Sequence, residues 1–417
     1  MTASPGDQEA EYLGTAQALA EQIWEKRVSL GEDGVTWLRP EPSASASHSQ
    51  PPINPYLYDG IAGIALFFAA LARITGNPEY RERSLLALAP VRRKLAAIVS
   101  DPQRAAGLEK VGIGGFFGLG SLVYTFVRIG NLLEEQALVA ESADLLKLFT
   151  PERIANDSIR DLLLGSAGAI LALLALHQAL GEGRKGGLGL EVASDCAKHL
   201  LSGRSFSENG TDVWYTLPGL PPLTGLSHGA AGLGAALLRL YEKTKAPELW
   251  EAAEKCLSFE RRAFHAEHRN WRDTRYPGKL HFETSWCYGA PGLALGRLCT
   301  LHILDDAQVR EEIRNAIETT RSLPLTPLDH LCCGNLGRVE VLLYAGLKLG
   351  DKGLPELAKQ LATEVLKRQR TAQGFGWRFN QSPGFFDPTF FTGAAGIGYA
   401  LLRLVYPRRL PCVLILE

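Results

Sequence analysis

A Gly-x-x-Gly pair followed by an apolar run rich in Ala and Leu occurs seven times in this chain: at Gly60/Gly63, Gly115/Gly118, Gly165/Gly168, Gly229/Gly232, Gly289/Gly292, Gly334/Gly337 and Gly393/Gly396. Successive first glycines are separated by 55, 50, 64, 60, 45 and 59 residues. Self-similarity at such spacing marks a repeat architecture, in which each unit buries its apolar face against its neighbours. Before each copy lies a more charged segment with helical spacing, at residues 9–30, 80–99, 133–148, 190–202, 247–264, 307–322 and 354–370. In the last of these, Leu354, Leu357, Leu361, Val365 and Leu366 line one helix face, with Lys and Arg opposite. A helix apolar all round must be buried, whereas an amphipathic one keeps a wet face. The pattern therefore predicts an all-α protein: seven inner helices ringed by seven outer ones, an α/α toroid. The glycines are expected to admit close helix approach and unusual backbone angles at the inner helix starts. By themselves they indicate architecture and no chemistry. Residues 40–55 and 181–189 read as surface loops, and the repeat continues across both, so 1–417 is expected to be one domain.

Composition narrows the function. Hydrophobic residues make up 46% of the 417 and charged residues 21%, which excludes disorder as the main state. The net charge of −1 gives no overall attraction to nucleic acid or an anionic membrane, although a local basic patch is compatible with it. Leu162 to Leu176 and Gly60 to Ala72, the longest apolar stretches, fall short of the roughly 18 residues a membrane span needs. The start, Met1 to Pro5, lacks the basic and apolar regions of a secretion signal, so a cytoplasmic location is expected. No Gly-rich phosphate loop with Lys is present. Residues 265–281 carry His265, His268, Arg269, Arg272, Arg275, Lys279 and His281 with Trp271 and Tyr276 interleaved, a solvated loop or a binding rim. Seven cysteines do not suit a disulfide framework. Cys196, Cys256, Cys299 and Cys412 read as small buried hydrophobes, leaving Cys287, Cys332 and Cys333 to explain.

Register singles those three out. Relative to the first glycine of its repeat, Cys287 stands at −2, Cys332 at −2, Cys333 at −1, His228 at −1 and Asp161 at −4. Equivalent positions in a closed repeat face one end of the ring, so residues remote in sequence converge. Three thiols at neighbouring helix starts suit a zinc site with three protein ligands and one open position. The competing reading is three thiols buried in a crowded apolar region, which adjacent cysteines on a regular helix satisfy poorly. On the residues alone, His228 is a packed histidine or a proton carrier, Asp161 a helix cap or its partner, and Tyr288 a packing residue or part of a site.

The seven repeats, with Ser227-His228-Gly229, Ser285-Trp286-Cys287-Tyr288-Gly289 and His330-Leu331-Cys332-Cys333-Gly334-Asn335, resemble the lanthionine synthetase C-like family over essentially the whole chain. Having Cys-Cys-Gly where Cys-His-Gly is commoner, the chain is similar to the subgroup with three cysteine ligands. Tyr58 to Gly63 and Arg409 to Glu417 resemble the cyclase half of class II synthetases, which carry a dehydratase half upstream; no dehydratase is expected within these 417 residues, which read as either an excised domain or a stand-alone relative. The resemblance implies a zinc-dependent peptide cyclase. Its reaction is Michael addition of Cys thiols to dehydroalanine or dehydrobutyrine in a dehydrated precursor peptide of leader plus core, with a dehydratase, linked or separate, as partner. It further implies Cys287, Cys332 and Cys333 as ligands to Zn2+, and His228, Asp161 and Tyr288 as catalytic residues. One position departs from the family: some members carry Arg four residues before the first zinc cysteine, where this chain has Glu283. Arg272 and Arg275 are the candidate replacements. Two other classes share the architecture. A helical-toroid glycosidase would need paired carboxylates, for which Asp59 and Asp161 are the main candidates, and a non-catalytic peptide-binding toroid would use zinc structurally.

Overall fold

The computed structural model describes residues 5–40, 50–101, 111–206, 212–371, 374–380 and 385–417, so most of the expected 40–55 loop lies outside the described residues. The chain groups into two compact units. The first comprises Met1–Ser100, Arg128–Gln136 and Pro324–Pro411, the second Asp101–Val127, Ala137–Leu323 and Cys412–Glu417.

In the first unit, helices α1 (Pro5–Glu25), α2 (Ile61–Thr75) and α3 (Pro78–Ser100) precede α13 (Asn335–Leu349), α14 (Gly353–Gln369) and α15 (Ala394–Val405). Helix α15 packs beside both α2 and α13, and each of these three is backed by a more polar helix: α1 on α15, α3 on α2, α14 on α13. The second unit repeats the scheme. Its buried helices α7 (Ser166–Leu180), α9 (Ala230–Thr244) and α11 (Ala290–Leu298) neighbour one another in that order. They are backed by α8 (Arg184–Ser202), α10 (Pro247–Ala263) and α12 (Ala307–Ser322). Helix α4 (Leu119–Leu133) completes the buried set; α5 (Gln136–Asp144) with a 3-10 turn to Leu148 forms the remaining charged segment, and α6 (Pro151–Ala155) is an extra short helix. The amphipathic prediction holds in detail: α7 is buried from Ser166 through His177, whereas α12 buries only the side containing Val309, Ile313, Ala316, Ile317 and Thr320. The segment 181–189 differs from the expected turn, because α8 begins at Arg184 once Gly186 packs on the Gly181 carbonyl.

The strands are short antiparallel hairpins that follow the more polar helices: β1–β2 (Val28–Ser29, Val35–Thr36), β3–β4 (Arg204–Phe206, Asp212–Trp214), β5–β6 (Phe264–His265, Asn270–Trp271) and β7–β8 (Arg370–Thr371, Gly374–Phe375).

Six of the buried helices start in the same way, whereas at the start of α11 the Ala290 N–H donates to Asn270 Oδ1 at 2.9 Å. In the six, the loop before the helix doubles back beneath the first turn, so that a helix N–H bonds the carbonyl seven residues earlier: Ile61 to Asn54, Leu119 to Gly112, Ala167 to Arg160, Ala230 to Leu223, Asn335 to Leu328 and Ala394 to Asp387. These bonds occupy donors that a helix N-terminus otherwise leaves unpaired. They also explain the glycines. A Cβ on Gly60, Gly165 or Gly229 would collide with the backbone of the returning loop, so the requirement is close approach. Unusual angles occur only at Gly118 (φ +106°) and Gly289 (φ +82°); the other helix-start glycines are extended.

Helix α4 begins after Gly118, not Gly115, which corrects the register of the second repeat by three residues. With that correction, the residue two before each helix-start glycine carries a backbone bond to its counterpart in a neighbouring loop. In the second unit Phe116 N–H donates to Leu163, Leu163 to Ser227, and Ser227 to Cys287, at 3.1, 3.1 and 3.2 Å. In the first, Cys332 donates to Phe391 and Phe391 to Tyr58, at 3.0 and 2.8 Å.

Candidate active site and metal-ligating residues

The second unit brings Asp161, His228, Cys287 and Tyr288 into one place, on three loops that lead into α7, α9 and α11. The backbone bonds at the helix starts set their spacing: Leu226 and Ser227 N–H both donate to the Cys287 carbonyl, and Leu163 N–H donates to Ser227. His228 follows directly on this anchored loop segment. Its Nδ1 lies 2.5 Å from Asp161 Oδ2, and the other Asp161 oxygen accepts the Leu164 N–H at 2.6 Å. Asp161 is fully buried, and burial pushes its carboxyl above the usual carboxylate range against the pull of His228. A carboxylate facing Nδ1 fixes the neutral ring with its proton on that nitrogen and leaves Nε2 as the working atom. The His228 side chain is 17% exposed, so Nε2 is within reach of a ligand.

Tyr288 stands 6.0 Å from the His228 ring, centroid to centroid. The Arg275 guanidinium lies 3.6 Å from the centre of the Tyr288 ring and is held there by Asp273, to which it donates from Nε and from Nη2 (2.6 Å). Burial raises the Tyr288 phenol well above its ordinary value, with Arg275 opposing, so the ring stays a neutral donor at physiological pH. Of the two candidate cations, the structure thus places Arg275 at Tyr288, whereas Arg272 is exposed on a groove. Glu283 is 3.2 Å from His281 and 4.0 Å from Arg275. The Cys287 thiol faces the Ser285 hydroxyl at 3.2 Å.

Cys332 and Cys333 belong to the first unit. They lie in the turn before α13, not on the helix, and this lets adjacent cysteines turn their sulfurs to within 3.3 Å of each other. Cys332 is buried and Cys333 exposed. The turn is braced from beneath: buried Asp329 accepts from Asn335 Nδ2, Arg368 Nη2 and Gln369 Nε2, at 3.1, 2.6 and 2.5 Å.

Sequence reasoning missed Glu260. It is fully buried on α10, and its Oε1 accepts from Gly225 N–H (3.0 Å) and Ala231 N–H (2.9 Å), clamping both ends of the loop that carries His228. Burial pushes its carboxyl up to about 7, with Arg297 and the two amides opposing. A folded value above the unfolded one means that folding favours the protonated acid. Its contribution is fully present below about pH 4.5 and is lost as pH rises towards 7, by about 3 kcal/mol for that shift. Glu260→Gln retains a carbonyl for both amides without this loss. The Tm of the variant is therefore expected to gain on that of the parent by a few degrees between pH 5 and pH 8, and a constant difference would show that Glu260 does not titrate there.

A groove of about 500 Å³ opens on the same unit, with Pro221, Pro222, Phe259, Phe264 and Leu280 among its apolar walls and Arg262, Arg272 and His265 as its ionisable side chains. Part of the 265–281 segment is thus a groove wall.

The family model for lanthionine synthetase C-like proteins matches residues 51–415, which takes in both compact units. A curated relative, the lacticin 481/lactococcin biosynthesis protein LcnDR2 of Lactococcus lactis subsp. lactis, is 22% identical over 368 residues. That alignment covers 84% of this chain and 36% of the relative, so the chain spans about a third of that protein's length. Among solved structures, nisin cyclase matches with a TM-score of 0.60 at 17% identity, covering 97% of this chain and 96% of that one. The GH76A α-1,6-mannanase of Salegentibacter sp. HEL1_6 matches with a TM-score of 0.50 at 14% identity, covering 94% and 99%. At these identities the likeness shows the fold alone: all-α, an α/α toroid. No helix among the described residues is long and apolar enough to cross a membrane.

Proposed function

This chain belongs to the lanthionine synthetase C-like family, and from that premise we propose that it closes thioether rings in dehydrated peptides, acting as one cyclase domain over 1–417. The observation that carries this reading is the Asp161–His228 pair, tied through Ser227 to the backbone of Cys287. Addition of a peptide thiol to dehydroalanine or dehydrobutyrine forms one carbon–sulfur bond and moves one proton from sulfur to the α-carbon; nothing is oxidised and no group leaves. Nε2 of His228, directed by Asp161, takes that proton and returns it to the α-carbon on the enolate. Arg275 supplies a positive charge beside Tyr288 that Glu283 cannot, and Tyr288 is a neutral hydrogen-bond donor for the developing oxyanion.

The donor set suits Zn2+: three thiols of a soft ligand class, two of which converge in one turn while the third faces the Ser285 hydroxyl. Cys287, Cys332 and Cys333 would hold it, and zinc bound there supplies a cation that favours the thiolate form of a substrate thiol. The substrate is a precursor peptide already dehydrated by another catalyst. The glycosidase alternative is disfavoured because Asp161 is fully buried and committed to His228.

The test is incubation with a dehydrated, Cys-containing peptide. Loss of free thiol at unchanged mass is the expected result, and persistence of the thiol with zinc present would overturn the proposal. A matched sample of undehydrated precursor with nucleotide triphosphate and magnesium should keep its mass, since no phosphate-binding loop is present; loss of water there would contradict the division of labour.

A further inference from the structure

We propose that the hairpin β5–β6 carries a divalent transition-metal site formed by His265, His268 and Glu267, independent of the cysteine ligands. The two imidazoles face each other with Nδ1 to Nδ1 at 3.1 Å, and the ligand atoms of all three residues lie within 4.8 Å of one another. Two nitrogens each 2.0–2.1 Å from a common cation stand 3.1 Å apart when the angle at the metal is about 100°, between octahedral and tetrahedral values. Two neutral imidazoles and one carboxylate suit zinc and its borderline neighbours rather than calcium or magnesium.

The arrangement is held before any ion binds. Phe282 stacks on His268 at 4.3 Å and meets His265 edge-on at 5.6 Å, fixing both ring planes. Arg269 adopts a left-handed φ of +45° that closes the turn, and Thr319 Oγ1 donates to its carbonyl at 2.5 Å. Ligands that need not be ordered on binding cost less to bring to a metal. A second candidate group on this unit, Asp273, His281 and Glu283, is less suitable because Arg275 already neutralises its acids.

The site has a structural consequence. Phe264 and His265 line the apolar groove, so an ion that pins the turn stiffens the groove's wall. The second metal would therefore tune a surface on which peptide can lie, with no part in proton transfer.

Zinc alone is the probe, titrated into the full chain with all seven cysteines present. The parent should show an uptake event that His268→Ala weakens by at least about tenfold and that His265→Ala/His268→Ala abolishes, with the event intact in His281→Ala and in Cys333→Ser. Both histidines are at the surface or only partly buried, so helical content should be unaffected. Amide exchange across residues 264–271 should slow on adding zinc to the parent and not to the double variant. Uptake of equal amount and affinity in the double variant would overturn the proposal, as would a parent whose zinc binding is wholly abolished by Cys333→Ser.

Discussion

Replacing His228 by Asn is expected to slow cyclisation of a dehydrated peptide by about a hundredfold or more, the usual cost of removing a positioned proton-transfer group, while zinc content and helical signal stay at parental levels. Asn is informative because its amide N–H can still donate to Asp161 and preserve the anchor, whereas it offers nothing at the position of Nε2. The measurement is single-turnover loss of free thiol. Asp161→Asn supplies the complementary case. An amide can present its own N–H to Nδ1, which forces the imidazole proton onto Nε2 and leaves the ring unable to accept. A comparable loss is expected there, although the new residue fills the same buried space. If either variant cyclises at the parental rate, the pair is a packing feature and the proton is carried by another group.

How this site could be read from sequence follows from how it is built. His228, Cys287 and Cys332 stand beside helix-start glycines that nearly every repeat marks. Their alignment is legible because most of these loops make the same backbone bonds under and between the helices. The register failed once, at Gly115. There two glycine pairs overlap, and pattern alone cannot tell that α4 starts at Gly118 while Gly115 packs against Gly168. Arg275 was a named candidate, but its place over Tyr288 depends on Asp273 and on the path of the segment after β6, for which no periodic signal exists. Glu260 gave even less sign of its role. It sits at an ordinary position of an amphipathic helix, among other acids, and only the fold reveals that it faces inward to two loop amides. Repetition thus made legible the positions whose role is set by backbone geometry, and left hidden those set by the individual length of one side chain.

Cys287→Ala is expected to abolish zinc binding at the three-cysteine set and with it cyclisation, without unfolding the protein. The reason lies in what Cys287 does apart from its thiol. Its carbonyl receives Leu226 and Ser227 N–H, and Ala retains that carbonyl. Its sulfur faces the Ser285 hydroxyl at 3.2 Å, and Ser285 keeps the Tyr288 carbonyl as an acceptor. The structural cost is therefore that of removing one buried sulfur atom, small against the helix packing of each unit. The coordination cost is large, since two remaining thiolates cannot close a site that needs three protein ligands. Cys332→Ala should behave in the same way, its N–H still donating to Phe391. Metal analysis after dialysis, beside far-ultraviolet circular dichroism, checks both. Full zinc occupancy with active cyclisation in Cys287→Ala would remove Cys287 from the ligand set, while a lost helical signal would mean that the thiol carries structure its neighbours do not reveal.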